Sequence, residues 1–308
     1  MRDIQTGPVV AGSMRLADLK LGKGEACMAP AVYPPVQVIA FTGGKGGTGK
    51  SSIAVNVAQA LSSAGQRTLL LDADLGMANI DTLLGIDVDY TLCDVLSGDK
   101  ALGDILTAGP DGMRLIPAAS GVKQLAELGV NECAGLMRAF SDLDEAIDTL
   151  VIDTATGISE IVTSFCRAAT DIVIVICNEP ASVRDAAALI ATLHRQHGME
   201  RFHVLPNMVS CAAEAGKLFM QLLERVSASH DLVLSCCGFV PRDEFLQQAI
   251  ARRQTVLSAF PNSSSALALK QLAGQIIKWP RQQYAGGHLE FFVERLIQNE
   301  NRSMEVRS

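Results

Sequence analysis

The stretch Gly43-Gly44-Lys45-Gly46-Gly47-Thr48-Gly49-Lys50-Ser51-Ser52 constrains this chain more than any other. It follows Val36 to Phe41, an apolar and β-branched run that reads as a buried strand. Ile53 to Leu61 comes next, with apolar residues at helical spacing. Strand, glycine-rich turn and helix form the context a phosphate-binding loop requires, and Gly44-x4-Gly49-Lys50-Ser51 has its spacing. Glycines let backbone N–H groups converge on phosphate oxygens where a side chain would obstruct them. The helix N-terminus adds a partial positive charge, and Lys50 adds a full one. The Ser51 hydroxyl is expected on a Mg²⁺ ion that bridges the terminal phosphates.

The 308 residues suit one large α/β domain or two small ones, and 48% hydrophobic residues can bury a sizeable core. A net charge of −7 and a pI near 5.3 argue against a broad surface for nucleic-acid phosphates. They do not argue against ATP, which a loop and a metal ion hold locally. No apolar run approaches the roughly 20 residues that span a bilayer. Met1-Arg2-Asp3-Ile4-Gln5 opens no signal-peptide apolar core, so a cytoplasmic protein is expected. The eight cysteines include no C-x2-C pair, which leaves zinc or iron–sulfur centres little support. They read as small buried hydrophobes in a reducing compartment.

Residues 1–34 carry Gly, Pro and Ala without sustained periodicity and are expected to be a flexible tail, with one short helix near Met14 to Lys20. From Val36 strand and helix alternate, the signature of a mainly parallel twisted sheet with helices on both faces. Strands are expected at 36–41, 67–72, 112–117, 149–153, 172–177, 201–205 and 232–240. Helices are expected near 131–147, 182–197, 213–229, 244–252 and 264–278. The fold class is α/β, one Rossmann-like domain over 35–280. Gly286-Gly287 then breaks the chain within 281–308, which ends in an amphipathic helix and tail.

Two strands end in carboxylates. The second runs into Asp72-Ala73-Asp74, and the fourth into Asp153-Thr154-Ala155-Thr156-Gly157. The carboxyl ends of parallel strands form the edge where α/β sheets bind ligands. Asp72 is suited to hold Mg²⁺ through water, and Asp153 to face the same ion. Asp74, off the strand, can polarise an attacking water. Gly157 can bring a backbone N–H to the γ-phosphate. Aspartates also cap strands and start turns, so spacing alone leaves both readings of Asp72 and Asp74 open.

Lys45, ahead of Lys50, makes this a deviant phosphate loop that resembles the loop of the MinD/ParA class of ATPases. In that class the additional lysine reaches across a nucleotide-sandwich dimer to the partner's phosphates. Further motifs are Asp72-Ala73-Asp74-Leu75-Gly76-x2-Asn79-x-Asp81, Asp153-Thr154-Ala155-x-Gly157, Ile116 to Gly121, Phe165-x-Arg167-Ala168-Ala169, Glu179-Pro180 and Gly287 to Leu296. With them the chain resembles the MinD-like flagellar-number regulators (FleN/FlhG type) from about Pro35 to Gln298. The resemblance implies a slow, Mg²⁺-dependent ATPase that dimerises with ATP, restrains a flagellar transcription activator and limits how many flagella are built.

Carried over position by position, the pattern makes Lys45, Lys50, Asp74 and Asp153 the catalytic groups. Asp74 is then the water-activating carboxylate of switch I, and Asp153 belongs to switch II. Nucleotide falls to Gly44, Lys45, Gly46, Gly47, Thr48, Gly49, Lys50, Ser51 and Ser52. Asn207 matches the position that hydrogen-bonds adenine, Pro241-Arg242 the segment lining the base, and Glu179 a contact to ribose across the dimer. The metal falls to Ser51, Asp72 and Asp153. Thr156 and Asn178 depart from the family pattern, which usually has Ala and Asp there. Some relatives use an N-terminal helix to stimulate a partner GTPase, the counterpart here being Met14 to Lys20.

The last helix, Leu289 to Gln298, is expected to gather Leu289, Phe292, Val293, Leu296 and Ile297 on one face. Relatives in the wider class bind membrane through such a helix, over 288–298 here, which would add a peripheral membrane or polar location. Interfacial helices usually have basic polar faces. This one offers Glu290, Glu294 and Arg295, so docking on protein is favoured. The alternative function is a partition or positioning ATPase acting on DNA or membrane, which the acidic balance disfavours.

Overall fold

The computed structural model describes residues 34–118, 130–226, 231–282 and 290–297. They belong to one compact unit, Tyr33–Ser308. The expected tail before Pro34, its short helix, Gly286-Gly287 and Leu289 lie outside the described residues.

In chain order the elements are β1 Gln37–Thr42, α1 Lys50–Ser63, β2 Thr68–Ala73, α2 Ile80–Leu84, α3 Leu92–Leu96, β3 Thr107–Ala108 and β4 Arg114–Ile116. Then come α4 Val130–Ser141, β5 Thr149–Thr154, α5 Glu160–Ala168, β6 Asp171–Cys177, α6 Pro180–His197, β7 Arg201–Val209 and α7 Ala212–Val226. Last are β8 Val233–Cys236, β9 Val240–Pro241, α8 Glu244–Ala251, α9 Val256–Ala259 and α10 Ser264–Ile276. A turn of helix at 293–297, α11, follows. The sheet order is β3-β4-β2-β5-β1-β6-β7-β8, with β9 also paired to β7. Every pairing is parallel except β3 with β4.

The central strands are continuous apolar runs because both faces are covered. Along β1, Val38 and Ala40 pack on one side with Phe140, Phe165, Leu189 and Leu218 of α4 to α7. Ile39 and Phe41 pack on the other with Ile53, Leu61, Leu246 and Leu269 of α1, α8 and α10. Period-two alternation thus feeds two separate cores.

Two expectations shift. The helix expected over 131–147 stops at Ser141, although Leu143 and Ile147 remain buried. The strand expected over 232–240 is two short ones, β8 and β9, both on the edge of β7. Gly238 at φ +118 turns the chain between them. The short helices α2, α3 and α9 and the hairpin strand β3 carry too few residues for a periodicity to register.

Candidate functional site

Gly43 to Gly49 turn from β1 into α1. Gly47 and Gly49 hold φ of +81° and +83°, the left-handed region that other residues enter only with strain. Gly44 is constrained differently: a Cβ there would lie 2.2 Å from the carbonyl carbon of Asp185 in α6. A Cβ on Gly46 or Gly47 would meet nothing within 4 Å, so this part of the loop borders open space. The N-terminus of α1 has no side-chain cap and no acidic residue in its first turn. Its N–H groups and partial charge are left for an anion. Ser51 and Ser52 stand half-buried in that first turn.

Lys50 is buried and pairs with Asp153 Oδ1 at 2.5 Å. Asp72 lies opposite Asp153 in register, on the adjacent parallel strands β2 and β5. The Asp72 carboxylate accepts backbone N–H bonds from Asp74 at 3.2 Å, Asn79 at 3.0 Å and Ile80 at 3.1 Å. Burial, reinforced by the Asp153 charge, still pushes it up to about 7. Asp153 Oδ2 is buried with no hydrogen-bond partner. Two buried carboxylates against one ammonium, one of them with an orphaned oxygen, suit a hard divalent cation such as Mg²⁺. Among the described residues no cluster of three or more His, Cys, Asp or Glu forms an all-protein metal site. Mg²⁺ does not need one, because it keeps waters and substrate phosphates as ligands.

Asp74 sits half-buried in the loop after β2 and accepts from the Met77 N–H at 3.3 Å. Burial raises its carboxyl, and Lys50 opposes the rise. Gly157, expected to offer its N–H to a phosphate, donates it to Gly43 O at 3.0 Å. Its φ of +96° makes that turn back onto the loop. Lys45 pairs with Glu179 of the same chain at 2.5 Å, and Glu179 holds the ammonium above its ordinary value. Asn207 lies buried beneath the loop, its amide donating to Thr48 O at 2.7 Å while its Oδ1 has no partner. Pro241-Arg242 comes alongside, with the Arg242 N–H bonded to Val209 O at 2.8 Å. All the expected residues therefore meet at the carboxyl edge of the sheet.

Sequence reasoning missed three supports. Met208 adopts φ +58° at a bulge between Asn207 and Val209, which turns Asn207 under the loop. The α6 backbone at Asp185 and Ala186 backs Gly44. Glu214 accepts from the Asn178 amide at 2.5 Å and the Ser210 N–H at 2.7 Å. That explains an amide at 178, since a carboxylate there would face Glu214. None has a local signal, because each contact joins segments far apart in the chain.

A deviant phosphate loop between β1 and α1, with carboxylates closing β2 and β5 beside it, defines a phosphate-loop nucleotide-binding protein. Residues 39–256 match the CobQ/CobB/MinD/ParA nucleotide binding domain, and the chain belongs to that family. Within it, the chain is 48% identical to the antiactivator FleN of Pseudomonas aeruginosa, over 86% of this chain and 95% of that protein. The flagellum site-determining protein YlxH of Helicobacter pylori is 28% identical, over 78% and 81% respectively. The fold is that of septum site-determining protein MinD complexed with Mg-ADP from Pyrococcus horikoshii. That comparison has a TM-score of 0.66 at 23% identity, over 79% of this chain and 96% of the other. The chain is thus a FleN-like member of the MinD/ParA family.

Proposed function

We propose that the protein is an ATP-driven dimerising switch that hydrolyses ATP slowly with Mg²⁺ and restrains a flagellar transcription activator, so limiting flagellar number. The observation that carries this reading is the position of Lys45. It lies half-exposed on the rim of the loop, while Lys50 alone enters the buried cradle. A lysine there is placed to serve a second copy facing the same edge. Met77 and Ile158, on the loops that follow Asp74 and Gly157, are 75% and 54% exposed and would be covered by that copy. The 48% identity to the FleN antiactivator supports the flagellar target.

The loop N–H groups and Lys50 would hold the phosphates, and Ser51, Asp72 and Asp153 the Mg²⁺, which neutralises phosphate charge when bound. Asp74 would orient the attacking water. Asn207, Pro241 and Arg242 would border the base, and Glu179 would exchange Lys45 for the partner's ribose. A flagellar GTPase as a further partner and a polar position extend the same reading. No helix among the described residues is long and apolar enough to cross a membrane.

The test is Asp74→Ala. The variant should bind Mg-ATP and elute as a dimer while turnover falls by about 10²–10⁴. Hydrolysis at the wild-type rate would remove Asp74 from the mechanism. Capture of the activator that depends on a non-hydrolysable ATP analogue checks the regulatory half.

A further inference from the structure

A groove of about 360 Å³ is lined by Phe245, Ala259, Phe260, Pro261, Asn262 and Ser263, where α8, α9 and the start of α10 meet. These helices bury Leu246, Ala249, Val256, Leu257 and Leu269 in the core they share with α1. Phe245 and Phe260 remain on the outside, their rings 4.9 Å apart and tilted by 45°. Phe245 is 47% exposed. Leu267, one turn along α10 from Ser263, is 55% exposed. A single exposed apolar side chain is ordinary, but two rings walling a concave apolar surface call for a ligand.

Cations stand at the margin of this groove, held by contacts to its lining. The Arg252 guanidinium lies over the Phe260 ring, 4.9 Å from its centroid. Lys270 Nζ donates to Pro261 O at 2.8 Å. Among the described residues neither forms an ion pair. From Arg242 to Lys270 the cations are Arg242, Arg252, Arg253 and Lys270, against the anions Asp243 and Glu244, although the whole chain carries −7. Asp243 is consumed in joining α8 to α10, accepting from the N–H groups of Phe245 and Ser265. Glu244 is the only other carboxylate of the stretch.

An apolar, aromatic centre with a charged rim is the anatomy of a protein-binding site. The net charge of −7 disfavours a nucleic-acid backbone, and a concave wall has nothing to insert into lipid. We propose that the groove docks an acidic segment of a partner protein. A large apolar side chain of that segment seats against Phe245 and Phe260, and flanking carboxylates pair with Arg252 and Lys270.

Random peptides displayed on phage, panned against the full-length protein loaded with Mg-ADP, test this. Enriched sequences are then measured as labelled synthetic peptides by fluorescence anisotropy. Peptides with an aromatic or long aliphatic residue flanked by Asp or Glu are expected. Arg252→Glu with Lys270→Glu should weaken them about tenfold or more, because two charge-assisted contacts become repulsive. Phe245→Ser should weaken them by a similar factor through loss of the aromatic wall. All three side chains lie at the surface, so thermal midpoints should stay at the wild-type value. No enrichment, enriched peptides without acidic residues, or affinities unchanged in both variants would overturn the inference. Loss of ATP-analogue-dependent dimerisation in Phe245→Ser would assign the groove to a second copy of the chain and overturn it equally.

Discussion

Gly44 and Lys45 are neighbours held by different physics. Gly44 cannot carry a side chain, because the backbone of α6 occupies that space at 2.2 Å and a helix backbone does not yield. Gly44→Ala should cost about 1–3 kcal/mol of stability and weaken nucleotide binding. Gly46→Ala, whose Cβ would meet no other part of the chain, should leave stability unchanged. Thermal midpoints of the nucleotide-free proteins compare the two, and an equal loss would exclude the steric account. Among the described residues Lys45 forms one ion pair, with the exposed Glu179. Lys45→Ala should keep nucleotide through Lys50 and Ser51 yet remain monomeric with an ATP analogue in size exclusion. A normal ATP-dependent dimer would reduce Lys45 to an ordinary partner of Glu179.

At the scale of elements, the start of α8 is tied to the start of α10 through one carboxylate. Asp243 accepts from the Phe245 N–H at 2.9 Å, the Ser265 N–H at 2.9 Å, Ser264 Oγ at 3.1 Å and Ser265 Oγ at 2.7 Å. Burial works to raise its carboxyl, but these bonds prevail and bring it from 3.8 to about 2. The folded value lies below the unfolded one, so the ionised form stabilises the fold above about pH 4. That contribution fades as pH falls towards 2. Asp243→Ala should lose about 1–2 kcal/mol at pH 7, the cost of a helix cap, and should flatten the loss of stability between pH 4 and 2. Urea unfolding of both proteins at pH 7, 4 and 2.5 checks the sign and the window.

The whole molecule is closed by its C-terminal segment. Phe291 and Phe292 set their rings edge-on to Phe140 of α4 at 4.8 and 5.7 Å, and Phe291 stacks on Phe165 of α5 at 6.2 Å. Arg295 donates to the carbonyls of Leu143 and Glu145. Phe292 and Leu296 of the expected stripe are thus buried against this chain's own core, whereas Val293 is half-buried and Ile297 exposed. The register differs from the expected one because Phe292 has φ +54° and precedes α11 instead of lying within it. Because α5 begins just after the Asp153–Gly157 loop, the segment braces the helix behind that loop. Phe292→Asp with Leu296→Asp should cost several kcal/mol, on the order of 3–5, and disturb nucleotide-dependent dimerisation. Wild-type protein should not float with anionic liposomes. ATP-dependent flotation lost in the double variant would show that the docked segment is exchanged for membrane.

What the residues determined alone was local: the glycine loop and its flanking strand and helix, the period-two runs of the buried strands, and the carboxylates at their ends. Spacing along a chain of a few residues is enough to position a phosphate cradle, because backbone N–H groups and one lysine do the binding. Tertiary structure decided which distant groups meet. The facing of Asp72 with Asp153, Asn207 beneath Thr48, the α6 backbone behind Gly44 and the Lys45–Glu179 pair each join separate segments. Strand order, not sequence separation, sets those distances. The same holds for the C-terminal phenylalanines, whose burial depends on the surface that α4 and α5 offer.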